Sequence, residues 1–194
     1  MAAKFPNKSL LLLVAGVLLL LASAASYAWP RYIASSEIKW DVTVVGEDGK
    51  EKVITFADIK KMPYYIGKGG EFSSTGVVSG PYAVKGIPVT ALCDLADGVK
   101  LGDVVLISAP DGYSQIYSYD EIQGKLITYD PANMKEVPYH ELKLVLMYEQ
   151  DGKPLTHNQG GPLRVATAGT ENLLTEGHYW VMWVNRIEIA KQNK

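Results

Sequence analysis

The stretch from Val145 to Arg164, VLMYEQDGKPLTHNQGGPLR, is where the fold of this chain is most legible. Lys143–Glu149 is an apolar, strand-like run, Asp151-Gly152 is a turn signal, and Pro162–Ala168 reads as a second strand. Between them stands His157-Asn158-Gln159-Gly160-Gly161-Pro162-Leu163-Arg164. Two adjacent glycines let a ligand or another backbone come close, and Arg164 offers a planar fork of donors suited to phosphate or carboxylate. With Asn158 and Gln159 as neutral donors and acceptors, these residues can form the rim of a pocket for a polar, anionic small molecule. The same string also admits a plainer reading: a glycine turn entering a strand, with Arg164 in a structural ion pair.

Outward from this stretch the pattern stays that of short strands. Ile38–Val45 alternates apolar and polar residues, Gly46-Glu47-Asp48-Gly49 turns the chain, and Lys52–Phe56 runs back, which predicts a hairpin. Thr55 with Asp58 caps a short helix over Phe56–Met62, stopped by Pro63. Gly67–Pro81 holds five glycines and several hydroxyls and reads as a loop with at most short strands. Pro88, at a first helical position, opens an amphipathic helix that ends at Gly98 and carries Cys93 as a small packing residue. Asp103–Ser108 and Tyr113–Tyr119 read as strands around Asp111-Gly112, Asp120–Gln123 as a helical turn, and Leu126–Leu142 has little pattern. Tyr179–Ala190 reads as the closing strand segment. Many short strands with few short helices predict an α+β domain of mixed, twisted β-sheets.

The chain has 194 residues, 47% of them apolar and 21% charged, with a net charge of −2. Without a basic run, nucleic acid has no electrostatic foothold. The N-terminus stands apart. Lys4 and Lys8 precede an unbroken apolar run, Leu10–Leu21, and a small-residue segment ending Ser26-Tyr27-Ala28. Residues 1–28 read as a secretory signal peptide. They also read as an uncleaved anchor: Ser9 to Ala28 reaches roughly the 20 residues of a bilayer span, with Tyr27, Trp29 and Tyr32 as interfacial aromatics. Either way the rest is expected outside the cytoplasm, periplasmic or at the cell surface, with residues 29–36 as a linker and 37–190 as one domain. The single cysteine, Cys93, can make no internal disulfide.

Six segments, taken in order, resemble the oxidoreductase molybdopterin-binding domain of the sulfite oxidase family. They are Ile54–Pro63, Val84–Val89, Ala109–Tyr113, Val145–Leu155, Gly160–Arg164 and Trp183–Ile187, and together they cover nearly the whole domain. The resemblance implies the sulfite-oxidase-type fold and a pterin cofactor carrying molybdenum in a polar pocket. It also implies a cysteine ligand for the metal and an arginine holding the cofactor's polar part. Arg164 matches that arginine, Gln159 stands where relatives carry an amide, and His178 and Tyr179 fall near a pterin-contacting turn. The ligating cysteine is expected between Met62-Pro63 and Val84, where this chain has Ser73, Ser74 and Thr75. A neutral hydroxyl is a poor substitute for a soft thiolate, which argues against a molybdenum cofactor. The stretch after the arginine is Ala166-Thr167-Ala168-Gly169, and the lysine usual before the closing Trp is Met182.

His140, His157 and His178 show no metal-ligand spacing, and no nucleophile elbow, Walker loop or dinucleotide fingerprint occurs. Of twelve tyrosines, several can stack a flat ring, although half-buried sheet positions account for most of them. The expectation is therefore an exported, non-catalytic domain with Arg164 as anion anchor and Gln159, Asn158, Gly160 and Gly161 as the rim. Ser73, Ser74, Thr75, His178 and Tyr179 line the remainder. Such a domain would bind a pterin-like or other anionic small molecule and report to, or supply, a membrane-protein partner. Two alternatives stay open: a molybdopterin-dependent oxidoreductase with an atypical metal site, and an interaction scaffold that binds no ligand.

Overall fold

The computed structural model describes residues 38–137 and 141–192. The segments read as leader or anchor (1–28) and linker (29–36) lie outside the described residues, as does His140. Among the described residues no helix is long and apolar enough to cross a membrane.

Two sheets make the domain. The first runs β2 (Glu51–Thr55), β1 (Asp41–Val45), β13 (Arg186–Lys191), β5 (Asp103–Ser108), β6 (Ser114–Ser118) in spatial order. Its centre is the last strand of the chain, parallel to β1 and antiparallel to β5. Alternation sets its inner face: Val42 and Val44, Val105 and Ile107, Ile187 and Ile189 are all buried, as a period of two requires. The second sheet runs β10 (Lys153–Pro154), β9 (Lys143–Gln150), β4 (Val78–Pro88), β3 (Tyr65–Phe72), β12 (Leu174–Glu176), β7 (Thr128–Tyr129), β8 (Glu136–Val137), with β11 (Arg164–Ala168) paired to β9.

The apolar run Lys143–Gln150 is β9, and it is continuous because both its faces are covered. Leu144, Leu146 and Tyr148 join the main core, while Val145 and Met147 face a second cluster with Ala166, Ala168 and Trp180. A strand covered on both sides loses alternation and reads as unbroken hydrophobicity. The mixed-sheet α+β architecture is the one expected.

Several local expectations need correction. Gly67–Pro81 is not a loop: it is most of β3 and the start of β4, an antiparallel hairpin whose turn is closed by Ser73 N–H to Val77 O at 2.9 Å. Its strand glycines answer to close packing, while Gly76, at φ 80° with nothing within 4 Å of a Cβ, serves the turn. A Cβ at Gly69 would sit 1.9 Å from the Thr167 carbonyl oxygen, and one at Gly70 2.6 Å from Leu174 Cδ2. Glycine in a strand interior marks such an approach. The helix after Thr55 ends at Ile59, with the Thr55 side chain capping Asp58 N–H at 3.1 Å. Pro88 ends β4 and caps the following helix, Val89–Cys93, whose continuation Asp94–Ala96 is 3-10. The closing strand starts only at Arg186, because Gly177–Tyr179 is a 3-10 turn and Trp183 takes φ 52°.

Candidate functional site

The β3–β4 hairpin, the start of β11 and the segment after β12 meet at a cavity of 510 Å³. That is within the range of small-molecule sites, roughly 300–1,000 Å³. β3 brings Glu71 and Phe72, the hairpin turn brings Ser73, Ser74 and Val77, and β4 brings Ser79. From β11 comes Arg164, and from the later segment Glu176, Gly177, His178, Trp180 and Met182. Tyr113 closes one side, and a smaller cavity of 230 Å³ continues past it toward Asp111 and Trp183.

Arg164 is the first residue of β11, opposite Met147, and its side chain is 6% exposed. Its Nη2 donates to a Glu71 carboxylate oxygen across 93 residues of sequence. The guanidinium centre lies 5.2 Å from the Trp180 ring centroid, a cation–π arrangement. Its Nε is buried without a partner; among the described residues only Thr128 Oγ1 shares that condition. Burial pushes the Glu71 carboxyl above its ordinary range, against the opposing pull of Arg164. At the rim, His178 Nδ1 is 3.2 Å from Glu176 Oε2.

The residues singled out from sequence divide. Arg164, Ser73, Ser74 and His178 line the cavity. Thr75 does not, and its hydroxyl bonds Ser73 Oγ at 2.8 Å within the turn. Gln159 Oε1 accepts from Thr156 N and Oγ1, both at 2.9 Å, closing a capping box away from the cavity. Asn158 is exposed beside it. The glycine pair serves the chain's own packing: a Cβ at Gly160 would meet Met182 Cγ at 2.6 Å, and one at Gly161 the Leu155 oxygen at 2.5 Å. Tyr179 stands behind the wall, its hydroxyl donating to Glu121 Oε1 at 2.9 Å. Burial and that carboxylate raise its pKa. Sequence reasoning missed Glu71, Phe72, Glu176 and Trp180. No local motif marks Glu71, since its partner lies so far along the chain.

The donor set does not fit a molybdenum ligand. Cys93 is fully buried in the main core, and burial pushes its thiol up to about 12. Around the cavity stand neutral hydroxyls, the Glu71 carboxylate already bound to Arg164, and the Glu176 carboxylate 3.2 Å from His178 Nδ1, with no thiolate among them. Among the described residues no group of three or more His, Cys, Asp or Glu side chains is placed to hold a metal ion.

Comparison with known proteins agrees with this architecture. No curated protein matches the chain. The crystal structure of the sulfane dehydrogenase SoxCD from Paracoccus pantotrophus is similar, with a TM-score of 0.56 and 18% sequence identity. The match covers 79% of this chain but 38% of that one, and at this identity it shows a shared fold alone. The family model of the oxidoreductase molybdopterin binding domain matches residues 28–194, and the chain belongs to that family.

Proposed function

We propose that this chain is an exported, non-catalytic binding domain that holds a pterin-like molecule without the family's metal. A molybdopterin binding domain implies a pterin ligand, and the cavity has the size and the aromatic wall for a flat ring. The observation that carries the non-catalytic reading is the chemistry of the wall. Ser73, Ser74 and the Glu71–Arg164 pair line it, while the chain's one thiol is locked in the core. A neutral hydroxyl gives a high-valent molybdenum centre neither the charge nor the softness of a thiolate. Export rests on the basic, apolar and small-residue succession of residues 1–28, cleaved or retained as an anchor. Outside the cytoplasm such a domain would deliver its ligand to a membrane partner or report its occupancy.

The test is metal analysis and mass spectrometry of the full chain, purified from an exporting host able to make molybdenum cofactor. The expected result is a metal-free pterin that copurifies. Stoichiometric molybdenum would establish the oxidoreductase alternative instead, and a chain empty of both would favour the scaffold.

A further inference from the structure

The sheet edges of this domain are guarded unequally. A strand with one neighbour leaves every second residue's N–H and C=O unpaired, and folded chains blunt such edges with charge, proline, brevity or cover. Among the described residues β2 carries Glu51 and Lys52, β10 is Lys153–Pro154, β8 is two residues long and β11 is buried throughout. The remaining edge is β6, Ser114-Gln115-Ile116-Tyr117-Ser118. It is five residues long with no charge and no proline, and it keeps unbroken register against β5. Its Ile116 is 59% exposed.

Hydrogen bonds fix which of its groups face outward. Ala109 N–H donates to Tyr113 O at 3.0 Å, so Tyr113 and, by alternation, Gln115 and Tyr117 turn their main-chain groups toward β5. Ser114, Ile116 and Ser118 turn theirs away. In agreement, Ile116 O accepts not from β5 but from the Gln115 side-chain amide, at 2.9 Å. Ser118 N–H is taken by Glu121 Oε2 at 2.6 Å. The outward groups left for a partner strand are therefore those of Ser114 and Ile116, with one carbonyl covered by a neighbouring amide.

That set is complementary to itself. Two antiparallel copies of β6, related by a two-fold axis at Gln115, set Ser114 of each opposite Ile116 of the other. Each such pair exchanges both N–H···O bonds, which uses every outward group of the two residues. The Gln115 amides, released from Ile116 O, meet across the axis. On the outer face the two Ile116 side chains become diagonal neighbours, within reach of each other, and each stands beside its own Leu106. The strand carries no charge to repel its twin.

We propose that β6 is a self-association edge, at which two copies of this chain pair antiparallel about Gln115 and join their five-stranded sheets into one. The contact is isologous and closes at two. It is independent of the pterin reading, although Tyr113, which closes one side of the cavity, immediately precedes the paired strand.

Copper–phenanthroline crosslinking of the full chain in intact cells of an exporting host tests it. Gln115→Cys places two thiols directly opposite, with Cβ atoms about 4.5–5.5 Å apart, and should give a covalent dimer. Wild type, whose one cysteine is buried, should give none. Val53→Cys, on the guarded β2 edge, should crosslink about tenfold less than Gln115→Cys. Adding Ile116→Lys to Gln115→Cys should cut the dimer about fivefold or more, because it sets two cations diagonally across the pair. Equal crosslinking at Gln115 and Val53 would overturn the inference, as would a dimer that Ile116→Lys leaves unchanged. Sedimentation velocity of purified wild type decides even if the variants do not fold: a concentration-dependent dimer is expected, and a chain that stays monomeric throughout sinks the proposal.

Discussion

Lys191 Nζ, on the last strand of the chain, lies 2.6 Å from Oδ1 of Asp103, a residue 1% exposed on the neighbouring strand. The two are directly opposed across the β13–β5 ladder, and Lys100 N–H donates to the other carboxylate oxygen at 2.7 Å. Burial raises the Asp103 carboxyl, but Lys191 and the Lys100 amide outweigh it and hold the group below its ordinary value of 3.8. A carboxylate depressed in the folded state contributes stability above its unfolded pKa and loses it as pH falls through its folded one. Asp103→Asn should therefore cost about 1–3 kcal/mol at neutral pH, and the gap from wild type should close as pH drops below about 4. Urea unfolding followed by tryptophan fluorescence over that range measures both.

Cys93 should behave as an apolar side chain. With the thiol pushed up to about 12 and no exposure, the native protein should not react with a disulfide-exchange reagent at neutral pH, and any labelling should follow the rate of opening. Cys93→Ala should leave bound pterin unchanged and cost about 1–2 kcal/mol through the lost packing. Loss of ligand without loss of fold would return this thiol to the site.

Gly69→Ala probes how tightly β3 passes β11. The added methyl would stand 1.9 Å from the Thr167 carbonyl oxygen, a rigidly placed group against fixed backbone, so no rotamer change gives relief. The expected cost is about 3 kcal/mol or more. A thermal melt within a few degrees of wild type would show that the two strands can part.

Met182→Lys adds a cation to a wall whose ionisable groups balance toward negative. It should raise affinity for a phosphate-bearing pterin such as neopterin monophosphate by about tenfold at low salt, an effect that fades as salt screens it, while the loss of the Met182 apolar surface weakens the uncharged ring alike at low and high salt. Calorimetry at two ionic strengths separates charge from packing.

The sequence disclosed those parts of the molecule whose physics is local. The β1–β2 hairpin, the Thr55 cap and the apolar β9 followed from alternation, turn chemistry and hydrophobic runs. Gly67–Pro81 misled because two different demands produce the same residues. A turn needs glycine for its dihedrals, and a strand crossed closely by another backbone needs glycine for its missing Cβ. Only the position of Thr167 tells them apart. The site was half legible for a similar reason. Arg164 stands out by its neighbours in sequence, whereas Glu71 acquires meaning only from a partner 93 residues away. Gly160-Gly161 signals close approach correctly, but what approaches is Met182 and the backbone near Leu155.

The place of β13 bears on when this protein can exist at all. The final strand fills the middle of its sheet, so β1 and β5 have no common neighbour until residues 186–191 arrive. A partly emerged chain holds the β1–β2 and β5–β6 hairpins of this sheet apart, even where the second sheet, whose strands all precede residue 177, is already made. Completion of this sheet is thus a single late event, and a chain cut short before Arg186 keeps its two hairpins apart, with no strand to join them.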